Sequence, residues 1–220
     1  MAAKKSTGIK AGQKDADAKK EGAKSFLKEI LIIVGVVAFI GITLFAVSGT
    51  WPALIAVESG SMEPNIMTYA LVFVTDENRF GGWQTQEEAI AANSPQIFNG
   101  YGDVIVYKPN GIDGVTPIIH RAIKKITADE AAAMGFAGDA AHAGVITKGD
   151  NVITNKDYDQ NGIFAAYGRM QPVKEEWIVG KAIFAIPLIG WVPLNIIPCI
   201  LIVIGIIVVI EIVSRVRGKK

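Results

Sequence analysis

The chain has 220 residues, half of them apolar, with 22 Lys and Arg against 21 Asp and Glu, a formal charge of +1. That length allows one main folded domain with appendages, and the apolar excess points away from an ordinary soluble protein. The one cysteine, Cys199, excludes an intrachain disulfide.

The first 25 residues are rich in Lys, Ala, Gly and Asp without apolar periodicity, and read as a disordered basic cytoplasmic tail. Ile30 to Val47 then carries no charge and only Thr43 as a polar side chain. With its flanks it reaches the roughly 20 residues needed to cross a bilayer, which predicts a transmembrane helix over 26–49. Ala46-Val47-Ser48 has the small-x-small form of a signal-peptide cleavage site, but the run is longer than the usual h-region and follows a long charged tail, so it is read as an uncleaved anchor.

The predicted domain over 50–186 opens on Ser59-Gly60-Ser61-Met62-Glu63-Pro64. Short β-branched runs follow at Ala70 to Val74, Val104 to Tyr107, Ile118 to Ile126, Val145 to Lys148 and Trp177 to Ile186, bounded by Gly, Asp, Asn and Pro. Thr85 to Ala92 and the capping-box spacing Thr127-Ala128-Asp129-Glu130 predict two short helices. The fold class expected is mostly β. Beyond it, 187–214 is a second transmembrane segment, with Pro187, Pro193 and Pro198 delaying continuous helix to about Leu194. A basic end, 215–220, closes the chain.

Eight lysines against four acids in residues 1–29, and Arg215, Arg217, Lys219 and Lys220 at the other end, predict that both termini are cytoplasmic and the domain extracytoplasmic. The stretch between the apolar segments holds ten Lys and Arg against sixteen Asp and Glu, a net of −6, which disfavours nucleic acid as a partner.

A serine hydroxyl needs a base within hydrogen-bond reach and donors for the oxyanion that forms when it attacks an amide. Ser61 sits in a small-residue turn. His120, by strand alternation, shares a face with Ile118, opposite Ile119 and Arg121. His142, in Ala140-Ala141-His142-Ala143, reads as a surface loop residue. Asp150, Asp157 and Asp159 can each orient a base, and their order does not choose among them. No ligand pair has helical metalloprotease spacing, so no metal is expected.

The ordered set of apolar anchor, Ser59-Gly60-Ser61-Met62-Glu63-Pro64, Leu71-Val72-Phe73-Val74, Gly102-Asp103-Val104-Ile105-Val106-Tyr107, His120-Arg121 and Thr147-Lys148-Gly149-Asp150-Asn151 resembles type I signal peptidases, and more narrowly their archaeal and endoplasmic-reticulum branch. The resemblance implies a signal-peptidase-like, β-rich catalytic domain between two transmembrane helices. Ser61 would be nucleophile, His120 general base in place of the bacterial lysine, and Ser59, with the Ser61 N–H, the oxyanion donors. It implies an aspartate of the triad, with Asp159 favoured, Asp157 its alternative and Asp150 supporting. No cofactor is implied. Expected partners are signal peptides of exported preproteins, the lipid bilayer and the protein-export translocon. The setting that fits best is an archaeal plasma membrane, and the enzyme would cut after small residues. Lys124 or Lys125 as base is the mechanistic alternative; a non-catalytic, membrane-tethered β domain serving an export machine is the functional one.

Overall fold

A run of aliphatic residues without proline favours helix, and α1 spans Ala3–Ser48. It belongs to a computed structural model that describes residues 3–217, with side chains from residue 21 onward apart from 23, 211, 215 and 216. The tail expected to be disordered is helical from Ala3, consistent with the high helix propensity of its many Ala and Lys residues. From Lys24 to Ser48 this helix is long and apolar enough to cross a membrane, with its large apolar side chains exposed. Residues 1–47 form one compact unit and the rest of the chain a second.

The second unit is built on a six-stranded antiparallel sheet. Its strands are β1 (Leu54–Ala56), β2 (Leu71–Thr75), β3 (Val104–Tyr107), β4 (Ile118–Ile126), β5 (Gly144–Lys148) and β8 (Ile178–Ile186), in the spatial order β1-β2-β8-β3-β4-β5. The final strand thus lies at the centre, between the nearly all-buried β2 and β3. A two-stranded hairpin, β6 (Ile163–Phe164) and β7 (Gly168–Arg169), stands apart from the sheet.

Side chains alternate across the sheet. On one face Val72, Val74, Val104, Val106 and Ile119 pack with Met62 and Ile66. On the other, Ile105, Tyr107, Ala122 and Val145 pack with Met170 and Val173. The register sets His120 opposite Ile105 and Arg121 opposite Val104, so these adjacent residues serve opposite faces.

The two predicted helices are α2 (Gln86–Ala91) and α3 (Ala128–Ala133), each opened by a complete capping box, Thr85 with Glu88 and Thr127 with Glu130. After β8 the chain makes α4 (Trp191–Leu194), leaves helical geometry at Asn195, and continues as α5 (Ile196–Arg217). Pro198 sits in the first turn of α5, where its missing N–H removes no helix bond. The apolar part, Ile196–Ser214, is also long enough to cross a membrane. The basic end read at 215–220 lies partly outside the described residues. Among the described residues helix outweighs strand, so the mostly-β expectation is corrected to a six-stranded antiparallel sheet domain flanked in sequence by two apolar helices long enough to cross a membrane.

Candidate active site

The serine-bearing loop leaves β1 at Val57 and turns tightly. Glu63 N–H donates to Gly60 O at 3.2 Å, and the N–H groups of Asn65 and Ile66 both donate to Met62 O, at 2.9 and 3.0 Å. Met62 and Ile66 are buried, so the residue after Ser61 bolts the turn into the core. Glu63 accepts from the Thr68 hydroxyl at 2.6 Å and the Thr68 N–H at 3.1 Å, and these donors hold its carboxyl below the usual range.

A second segment grips the same loop. After β5, Asn151 donates its N–H to Ser61 O at 2.9 Å and its side-chain amide to Gly60 O at 2.7 Å. Gly149 approaches so closely that a Cβ there would lie 2.5 Å from Ser61 O. The Ser61 hydroxyl lies 3.2 Å from that of Ser59.

His120, on β4, is only 5% exposed, and its Nδ1 lies 2.7 Å from Oδ2 of Asp159, itself buried in the tight turn Asp159–Asn161. An ionised carboxylate only accepts, so the contact assigns the ring proton to Nδ1 and leaves the lone pair on Nε2, which has no hydrogen-bond partner among the described residues. Asp159 Oδ2 also accepts from the Thr147 hydroxyl at 2.7 Å and the Tyr107 hydroxyl at 3.0 Å. Burial first, and the adjacent Asp159 carboxylate next, push the Tyr107 phenol well up, which keeps it a protonated donor.

Ser59, Ser61 and His120 line one cavity of about 400 Å³. Its walls are the β1 edge and following loop from Ile55 to Ser59, the segment Thr116 to Ile119 leading into His120, and Asn155, Phe164 and Tyr167. No hydrogen bond joins Ser61 to His120; the hydroxyl and the imidazole share the cavity, each held by its own network.

The other aspartates lie elsewhere. Asp150 takes a two-pronged pair from Arg121, Nε to Oδ1 at 2.8 Å and Nη2 to Oδ2 at 2.5 Å, plus the Asn65 amide at 2.8 Å. Arg121 meanwhile donates to the carbonyls of Ile97, Phe98 and Gly102, tying the loop before β3 to β4. Asp157 is exposed and caps its own turn through Tyr158 N–H and the Asn161 amide, which lower its carboxyl. His142 contacts Ala143 O and Gln171 Oε1 and meets Trp177 edge-on. Lys125 pairs with Glu88 beside the Trp83 ring, and neither it nor Lys124 lines the serine cavity.

Among the described residues no three His, Cys, Asp or Glu side chains converge to hold a metal ion. Sequence reasoning assigned no role to Tyr107, Thr147, Gln160 or Asn151. The available signal was strand parity, since Tyr107 is two residues from Ile105, the register partner of His120. No protein-family model matches this chain, and no curated protein is significantly similar to it.

Proposed function

We propose that the protein is a membrane-bound serine endopeptidase of the signal peptidase I type, removing signal peptides from exported preproteins. The observation that carries the reading is the imidazole of His120, fixed through Nδ1 by Asp159 at 2.7 Å, in the same cavity as Ser61. His120 Nε2 takes the Ser61 proton as the oxygen attacks the scissile carbonyl. The tetrahedral oxyanion is met by the Ser61 N–H and the Ser59 hydroxyl. Nε2–H then protonates the leaving amine, the C–N bond breaks, and an acyl-enzyme remains. Water, deprotonated by the same nitrogen, attacks that ester, and the released serine oxygen recovers its proton.

Substrate binding follows from the cavity walls. β1 is an edge strand, and an extended peptide laid along Ile55 to Ser59 can pair with its backbone. The resemblance to signal peptidases adds small residues at the first and third positions before the cut, and the translocon as a neighbour. The apolar helices, with the basic residues at the chain ends, support a plasma-membrane protein with cytoplasmic termini and an extracytoplasmic domain. Confinement of enzyme and signal helix to one bilayer raises their effective concentration.

The test is cleavage of a purified preprotein in detergent by the wild type, Ser61→Ala and His120→Ala. Both variants should lose cutting while keeping the wild-type circular dichroism spectrum. A folded wild type that never cuts, or a Ser61→Ala variant that cuts normally, would favour the non-catalytic export subunit instead.

A further inference from the structure

Asp159 receives more donors than a carboxylate needs merely to orient one imidazole. His120 Nδ1–H, the Thr147 hydroxyl and the Tyr107 hydroxyl all converge on the same oxygen, Oδ2, at 2.7, 2.7 and 3.0 Å. Gln160 braces this array at Thr147. Its Oε1 accepts from Thr147 N–H at 3.0 Å, which turns its Nε2 towards Thr147 Oγ1 at 3.2 Å. A carboxylate only accepts, so the Thr147 proton points to Asp159 Oδ2 while Oγ1 accepts from Gln160, and the Tyr107 hydroxyl lies 3.0 Å from the same Oγ1. Tyr107, Thr147, Asp159 and Gln160 are all buried, so the array sits in a low-dielectric environment where each dipole acts strongly.

From this convergence we infer that Tyr107 and Thr147 are positioning residues that restrain the proton affinity of the His120–Asp159 pair. A hydroxyl dipole aimed at the carboxylate spreads its negative charge and weakens its hold on an imidazolium. Removing either hydroxyl therefore makes the pair bind its proton more tightly. A base that must both take and return a proton works best when neither state is over-stabilised.

The other charged and titratable groups nearby are engaged or lie at the cavity rim. Glu58 and Tyr167 line the cavity with His120. Arg121 and Asp150 neutralise each other through the opposite face of β4. Lys148 on β5 reaches Lys156 O and the Tyr158 ring, and Lys181 on β8 donates to the carbonyls of Gly81 and Gly82.

The experiment is a side-chain NMR titration of the full chain in detergent micelles. The chain has only two histidines, and His142, hydrogen-bonded elsewhere, serves as internal reference. Tyr107→Phe and Thr147→Val should each raise the His120 protonation midpoint by about half a pH unit or more and leave His142 unmoved. Thr147→Ser, which keeps the hydroxyl, should retain the wild-type midpoint. In an Asp159→Asn background Tyr107→Phe should add no shift. Either removal variant that folds suffices for the reading. A His120 midpoint that stays put or falls, with only thermal stability lost, would reduce the two hydroxyls to structural partners and overturn the inference.

Only the catalytic consequence rests on the peptidase reading: the acid limb of the kcat/KM profile should move up in pH with the NMR midpoint. A midpoint that shifts in a protein that cuts nothing sinks the peptidase and leaves the inference standing. A protein that cuts while its midpoint does not move does the reverse.

Discussion

Asn151 holds Ser61 from behind, its backbone N–H donating to the Ser61 carbonyl at 2.9 Å while its side chain reaches the preceding carbonyl, Gly60 O. The oxygen that would attack substrate thus sits on a loop whose position is set by a segment 90 residues further along the chain.

Loosening this grip should cost rate more than stability. Asn151→Ala removes the amide bond to Gly60 O and the two exposed bonds that its Oδ1 accepts from the N–H groups of Ile153 and Thr154, where water can substitute. The net loss is about 1 kcal/mol, roughly 2–4 °C in Tm, and kcat should fall about tenfold as Ser61 drifts. Gly149→Ala forces a Cβ against Ser61 O and should lower it about a hundredfold. Preprotein cleavage and thermal melts of the two variants give both readings; equal loss in stability and no loss in kcat would show that the clamp is not needed to aim Ser61.

The three aspartates should separate by role. Asp159→Asn removes the charge beside His120 and should cost about a thousandfold or more in kcat. Asp157→Ala removes only an exposed turn cap and should cost about 1 kcal/mol in stability, with cleavage close to normal. Single-turnover cleavage rates for the two check this, and a dead Asp157→Ala with an active Asp159→Asn would reverse the assignment.

Arg121 should matter to folding. It is 3% exposed and its guanidinium binds Asp150 and several backbone carbonyls at once. Arg121→Ala leaves the Asp150 carboxylate, 10% exposed, without its cation and with only the Asn65 amide as a donor, a loss of about 3 kcal/mol. Arg121→Lys cannot reproduce the fork and should recover only part of it. Urea unfolding of both, and of Arg121→Ala with Asp150→Asn, should show the double variant more stable than Arg121→Ala alone.

Glu63 sets a pH dependence near the serine loop. Its folded carboxyl lies below its ordinary value because of the Thr68 donors, so its contribution to stability is full above the unfolded carboxylate range and disappears as pH falls through the lower, folded value. Glu63→Gln removes this linkage. The Tm gap between wild type and variant should be widest above about pH 5 and narrow towards pH 3. A constant gap across that range would assign the effect to shape, not charge.

Much of the sheet was legible because its strands are β-branched and sharply bounded. Val104–Tyr107 and Ile118–Ile126 fall where the residues predict. β1 escaped notice because Leu54–Ala56 is too short for alternation to register, and β6 and β7 have two residues each. Ser61 and His120 were candidates by residue type and motif order. The choice of Asp159 over Asp157 depends on a turn that buries one carboxylate and exposes its neighbour two positions away, a difference fixed by distant partners such as Tyr107 and Thr147. Asp150 was closer to legible: it pairs with Arg121, which strand parity already sets on the face opposite His120.

The central place of β8 also bears on when the protein becomes complete. During synthesis β1 and β2, which carry the serine loop, emerge early, and β3 to β5, with His120, follow; neither group is paired to the other in the finished sheet except through the strand made last. A chain halted before Ile178 therefore lacks the only strand that pairs with both groups, and Ser61 and His120 are then related only through core packing and the Asn151 bonds to the serine loop, until translation reaches the threshold of the second apolar helix.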